Sequence, residues 1–224
     1  MIDQSAQAGK RSDMDRFETA IGAVDGANAA DPNMILAGGA HRPAELVYSE
    51  RMTETLNHLY PKASEALRLA VHAQHIQRWQ IPRSDYPMNL QGYRRWRNDL
   101  KNFHAEKTAQ LLKASGYDQE LIGRVGSLVR KERLKTDEEA QALEDVACLV
   151  FLKHYFADFA SKHDDEKLIG IVRKTWAKMS DTGRAAAAKQ KLPEPLERIV
   201  QAALEHEPEK WTPVFGKDHA QTIT

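Results

Sequence analysis

The stretch AVHAQHIQRW, residues 70–79, carries His72, His75 and Arg78 at intervals of three. On a helix that spacing puts all three on one face, where two ring nitrogens can reach a single metal ion. The plainer reading is a pair of core histidines, each hydrogen-bonded to a neighbour. A second polar group, Glu144 and Asp145, sits between Leu143 and Val146 where a later segment becomes most apolar. A carboxylate entering a core needs a basic partner or a cation. At least one of the two is therefore expected to ligate a metal or to form a salt bridge with Arg51 or Arg78. His104, in NFHAEK, lies on a seam with Tyr93, Leu100 and Leu111 and can join the same interior.

Between these groups runs a basic segment. From Arg78 to Lys107, lysine or arginine stands at 78, 83, 94, 95, 97, 101 and 107, against acids at 85, 99 and 106 only. With Tyr86, Tyr93 and Trp96 interleaved, this segment suits a phosphate-bearing ligand or an RNA strand. Arg78, Arg83, Tyr86, Arg94, Arg97 and Lys101 are its candidate contacts. The same composition also fits a solvated helix face laid over buried Trp96, Leu100 and Phe103.

No global field backs that local charge, because 32 basic side chains balance 32 acidic ones in 224 residues. Cys148 is the sole cysteine, which excludes an intramolecular disulfide and a cysteine-based zinc site. A reducing cytoplasm fits that usage. The first residues, MIDQSAQAGKRSDMD, lack the apolar run of a signal peptide, and no apolar stretch is long enough for a membrane span, so no membrane partner is expected.

The elements that must position these groups read as helices throughout, since apolar residues recur with a 3.6-residue period and none alternate convincingly. The expectation is an all-α, single helical domain of about seven to nine helices over residues 13–206. Residues 1–12 are expected to be disordered and 207–224 to form an irregular tail, with Trp211, Val214 and Phe215 able to pin it to the body. Helices are expected at about 14–30, 43–60, 62–79, 90–114, 118–130, 137–161, 165–179, 182–190 and 194–206. LAGGAHRP is read as a loop. Pro43 opens the second helix, Gly116 ends the fourth, and Thr136 with Glu139 forms a capping box for the sixth. The third and sixth are apolar on more than one side and should be central.

Four strings resemble the family called domain of unknown function 4202: PAELVYSERMTETL, ASEALRLAVHAQHIQRWQIPRSDYPMNLQGYRRWRNDL, LEDVACLVFLKHYFADFASKHDDEKL and IVRKTWAKMS. The resemblance covers about residues 14–206 and implies no activity. Some relatives bear a glutamyl-tRNA synthetase label, and KMSDT at 178–182 is similar to the KMSKS signature of those enzymes. This chain offers neither their HIGH motif nor the strands of a Rossmann-type sheet, so KMSD is read as a helix end followed by a capping serine or aspartate. The chain is also similar, in the order of its parts, to the HD superfamily of helical metal-dependent phosphohydrolases. There VYSERM stands where a first histidine falls, AQHIQ where a His-Asp pair falls and LEDVACL where a last aspartate falls. Tyr48 or Glu50 then replaces the histidine, Gln74-His75 replaces His-Asp, and Asp145 alone is kept in kind.

That similarity implies an HD-like core and an enzyme acting on a small phosphorylated or nucleotide-like compound. One divalent ion would lower the pKa of a water and polarise the phosphoryl group. His75, Asp145 and Glu144 are its expected ligands, with His72, Glu50 and His104 as further candidates, and Glu144 and His75 the expected catalytic groups. The alternative is a helical module without catalysis that holds a nucleotide or RNA. A third reading makes His75, Glu144 and Asp145 an internal salt-bridge cluster of a structural domain.

Overall fold

Polar side chains that accept backbone N–H groups start most of the helices. Ser64 accepts from Leu67, Asn89 from Gly92, Asp118 from Leu121, Asp137 from Glu139 and Ala140, Asp164 from Lys167 and Ser180 from Gly183. The computed structural model describes residues 4–205 and is mostly helical. Its helices are α1 (Gln4–Asn28), α2 (Ala44–Leu59), α3 (Glu65–His72), α4 (Leu90–Ala114), α5 (Gln119–Val129), α6 (Glu138–His154), α7 (Phe156–Ala160), α8 (Asp165–Lys178), α9 (Asp181–Ala187) and α10 (Glu194–Glu205). The first turns of α1 fall within residues 1–12, rich in the good helix formers Gln, Ala, Lys and Arg. The expected tail at 207–224 lies outside the described residues.

Three local features differ from the sequence reading. LAGGAHRP forms all but the first two residues of an antiparallel hairpin, β1 (Met34–Ala37) and β2 (Ala40–Pro43), in register from Met34 opposite Pro43 to Ala37 opposite Ala40. Its two-residue turn is Gly38–Gly39, both at positive φ (61° and 82°), which only glycine adopts freely. The cap of α6 is Asp137; Thr136 instead donates its hydroxyl to the Arg133 carbonyl at 3.3 Å. The expected sixth helix is broken at Tyr155, which divides it into α6 and α7 and brings the helices to ten among the described residues.

Two apolar cores share α6. Leu143, Val146 and Val150 face the larger, built with Met52 and Leu56 of α2, Leu67, Leu69 and Val71 of α3, Leu112 of α4 and Val125 and Leu128 of α5. Cys148 and Leu152 face the smaller, with Phe156, Leu168, Val172, Met179, Leu196 and Ala203. A helix that serves both must be apolar on both sides, which is why this segment reads as hydrophobic nearly all round. Among the described residues no helix is long and apolar enough to cross a membrane.

Candidate functional site

The stretch expected to be one long central helix stops being α-helical at His72. From Ala73 the backbone proceeds by tighter turns: Gln74 N–H donates to Val71, Ile76 to Ala73 and Arg78 to His75. Gln77 adopts the left-handed region at φ 50°, and a 3-10 turn, Arg78–Gln80, follows. Distant side chains take the place of the helical bonds. Asn28, fully buried, accepts the Gln77 N–H at 2.9 Å, and His104 Nδ1 donates to the Ile76 carbonyl at 2.8 Å. A left-handed non-glycine residue costs on the order of 1 kcal/mol and persists only where its surroundings enforce it. The consequence is that His75 and Arg78 leave the helix face that held His72 and turn toward α2 and α4.

On α2, Glu45 and Tyr48 are one turn apart and meet them. The Tyr48 and His75 rings stack with centroids 4.1 Å apart, and Glu45 Oε2 lies 3.7 Å from His75 Nδ1. On α4, Arg97, Lys101 and His104 follow the helical spacing of four and three and form one stripe; the His104 ring lies 5.8 Å from that of His75. The turn after α5 adds Lys131, itself left-handed at φ 57°. Its ammonium donates to Glu144 of α6 in a very short contact, and Lys178, at the end of α8, lies 3.4 Å from the other Glu144 oxygen.

These groups perturb one another. Burial pushes the Glu45 carboxyl up to about 8, with Arg78 opposing and Asp31 adding to the rise. Burial drives His75 well below its usual value, and Arg78, Arg97 and Lys131 reinforce it. His104 falls to about 3, again through burial and then Arg78, despite its bond to Ile76. Near pH 7 the Glu45–His75 contact is thus between two neutral groups. Burial also lowers Arg78 and Lys101, each made worse by Arg97. Burial would raise Glu144, but Lys131 and Lys178, with Arg97 behind them, hold it at about 2. The result is one firmly ionised carboxylate under the influence of Lys131, Lys178, Arg97 and Lys101, with Arg78, a fifth cation, repelled in turn by Arg97. Among the described residues no ion pair joins a carboxylate to Arg78, Arg97 or Lys101, and the Arg78 guanidinium lies 4.9 Å from the centroid of the Trp96 ring.

Of the residues expected to bind substrate, Arg78, Arg97 and Lys101 come together here. Arg83 does not: its guanidinium donates to the carbonyls of Tyr86 and Pro87, at 2.9 and 2.8 Å, and braces the loop under Trp96. The Tyr86 hydroxyl donates to Asp99 at 3.0 Å, and Arg94 is exposed on α4. Trp96 is buried with its indole N–H on the Ile81 carbonyl, so its face is not open for base stacking. An open cleft of about 400 Å³ lies beside Tyr86, Arg95 and Asp99 and is lined by none of the five cations.

The expected metal ligands are dispersed. Asp145, fully buried, accepts from the Tyr60 hydroxyl at 2.7 Å, the Ser180 hydroxyl at 2.5 Å, the Ser180 N–H at 2.8 Å and Gln141 at 3.0 Å. Both of its oxygens are used to fix the start of α9, and Ser180 is the cap there. His72 is held between Thr53 and Asp25, each at 2.8 Å, and Glu50 pairs with Arg42 at the surface. His104 has one nitrogen on Ile76, and Glu144 is taken by lysines. Among the described residues no three histidine, cysteine, aspartate or glutamate side chains are grouped as a metal ion would need.

Glu45, Lys131 and Lys178 stand in this cluster without being singled out by the sequence. Glu45 looked like an ordinary acidic residue in a helix's first turn, and Lys131 and Lys178 are single lysines at helix ends. The available signal is indirect: a buried Glu144 requires a base, and it finds Lys131 and Lys178 where the sequence suggests Arg51 or Arg78.

A family model described as domain of unknown function (DUF4202) matches residues 18–200. The chain belongs to that family. No curated protein matches it, and no solved structure does.

Proposed function

We propose that this chain binds a small phosphorylated compound among Arg78, Arg97, Lys101, Lys131 and Lys178 and hydrolyses its phosphate ester. The observation that carries this reading is that Lys131 and Lys178 both contact the ionised carboxylate of Glu144, on which Arg97 and Lys101 also act, while Arg78 adds a fifth cation that is repelled by Arg97. Half-buried cations repel one another and are costly to hold together unless an anion is to be bound there. Phosphate oxygens, each able to accept several N–H bonds, suit such a set.

Glu45 gives the site its proton chemistry. Held up at about 8, its carboxyl keeps a proton at neutral pH in a place where most carboxyls are ionised. A water oxygen bonds to phosphorus, the ester P–O bond breaks, and Glu45 protonates the departing oxygen. Both of the water's protons leave with the phosphate, as dihydrogen phosphate, and Glu45 regains its own from solvent. We take the order of parts in the sequence, similar to that of HD phosphohydrolases with Tyr48 or Glu50 and Gln74-His75 at the first two positions, as the ground for the hydrolytic side of the reading, and an HD-like core as part of the same proposal. Because the donor set does not gather, no role is given to a divalent ion.

A panel of phosphate monoesters and nucleotides, assayed with and without added Mg²⁺, Mn²⁺ or Zn²⁺, tests the proposal. Release of phosphate that Glu45→Gln abolishes while ligand affinity holds is the expected result. Binding without turnover in every arm would leave the chain a nucleotide or phosphate module. No binding at all would remove the reading.

A further inference from the structure

We infer that Thr53, His72 and Asp25 form a second catalytic centre, in which the Thr53 hydroxyl attacks the carbonyl carbon of a small carboxylic ester. The Thr53 hydroxyl lies 2.8 Å from His72 Nδ1, and His72 Nε2 lies 2.8 Å from Asp25 Oδ1. A carboxylate only accepts, so the proton of the neutral ring sits on Nε2 and Nδ1 is left to accept from Thr53. Nucleophile, base and orienting carboxylate thus stand in a row, each within hydrogen-bond reach of the next. The direction of the Thr53 hydroxyl is not the usual one within a helix. Thr19, Ser49 and Thr108 each donate to the carbonyl four residues before them, at 2.7, 3.1 and 2.7 Å, whereas Thr53 turns to His72.

Three helices meet to hold this row: Asp25 is on α1, Thr53 is on α2 and His72 ends α3. One turn from Asp25 and one turn from Thr53, the buried pair Asn28 and Ser49 joins α1 to α2 by a hydrogen bond of 2.9 Å and fixes their spacing. His72 is buried, while Thr53 is only partly so, as a nucleophile that meets a substrate must be. One turn further along α2, Asn57 is exposed and has an amide N–H to offer the developing oxyanion. As the Thr53 oxygen bonds to the acyl carbon its proton passes to His72 Nδ1, and the ester C–O bond breaks with the alcohol taking that proton. A water oxygen then bonds to the acyl carbon and gives one proton to His72 Nδ1. The acyl–Thr53 bond breaks, that proton returns to the Thr53 oxygen and a carboxylic acid departs. No step uses the cations around Glu144, so this centre stands or falls independently of the phosphate reading.

Treatment of the full chain with p-nitrophenyl acetate, followed by peptide mass spectrometry for the adduct, tests this. Wild type should release p-nitrophenol about a hundredfold faster than His72→Gln, and a denaturing quench should trap acetyl on Thr53. Thr53→Val, which keeps the shape of the side chain, should lose both signals, and Thr53→Ser, which keeps the hydroxyl, should retain both. Asp25 is a positioning residue that acts through His72. Asp25→Ala should slow acylation by about tenfold or more and spread the His72 proton over both ring nitrogens, which their NMR shifts read. Acetyl found only on lysines or histidines, or a rate unchanged in His72→Gln or Thr53→Val, would overturn the inference. An Asp25→Ala variant with the wild-type rate and the wild-type tautomer would overturn it as well.

Discussion

His75 is held by a ring and not by a hydrogen bond: its imidazole lies against Tyr48, centroids 4.1 Å apart and planes 9° from parallel, and its nearest carboxyl oxygen is 3.7 Å away. Stacking of this kind contributes about 0.5–1.5 kcal/mol beyond simple burial. Tyr48→Phe keeps the ring and should unfold within about 0.5 kcal/mol of wild type. Tyr48→Leu should cost about 1 kcal/mol more than that and loosen His75, visible as a broadened imidazole resonance. Equal stability of the two variants in urea titrations would show that the stack contributes nothing.

Stability should peak near pH 6.5. His75 and His104 stay neutral in the folded chain, whereas in the unfolded chain they take up protons below about 6.5. Acidification therefore favours unfolding, by about 1.4 kcal/mol per pH unit for each histidine. Glu45 acts in the opposite sense. Folded, it keeps its proton up to about 8; unfolded, it loses it near 4.5, so stability falls as pH rises between those values. The two histidines outweigh it on the acid side, and it acts alone between 6.5 and 8. His75→Gln with His104→Gln should flatten the acid limb, and Glu45→Gln the alkaline one. A melting temperature that changes monotonically from pH 5 to 8.5 would contradict this account.

Glycine replacements should divide by what a new methyl group meets. At Gly183 a Cβ would lie 2.6 Å from Asp145 Oδ1, and at Gly92 it would lie 2.1 Å from the Pro87 carbonyl oxygen. Gly183→Ala and Gly92→Ala should each destabilise by about 1–3 kcal/mol or more. Gly22 and Gly26, on α1, have nothing within 4 Å of that position. There alanine should stabilise by about 0.5–1 kcal/mol through helix propensity. Chemical denaturation of the four variants checks both signs at once.

Lys101→Met should trade binding for stability. Its ammonium is disfavoured by burial, then by Arg97 and Lys131, and the methionine keeps most of the packing of the stem. The ligand-free variant should melt at a higher temperature than wild type, and its affinity for phosphate anions should fall. A lower melting temperature would mean that the cation cluster is not under mutual repulsion.

Much of the scaffold was legible because its information is local. The fourth helix was expected at 90–114 and runs from Leu90 to Ala114, between a capping Asn89 and a left-handed Gly116. The Gly38–Gly39 hairpin was equally local, but strands of only four residues leave too little alternation to reveal it. The break after His72 was not legible in principle. The apolar pattern continues through Ile76, and what ends the helix is Asn28 and His104 claiming its backbone groups from far away in the chain. The same fact misdirected the site. On an unbroken helix His72 and His75 share a face; with the break, His72 goes to Asp25 and His75 to Tyr48. Arg97 and Lys101 lie on one stripe of α4, as their spacing on a regular helix requires. Asp145 was correctly read as a buried carboxylate needing partners, but burial alone does not distinguish a metal from the hydroxyls and N–H groups that surround it.

The two cores that share α6 should let the molecule open as two separate units. Amide hydrogen exchange should therefore show one slow group across α2 to α6 and a faster one across α8 to α10. Of the five cations only Lys178 belongs to the second unit. Each excursion of that unit would carry one wall of the cation cluster away while the other four side chains stay in place, and a bound anion that touches Lys178 would slow exchange in helices it never contacts.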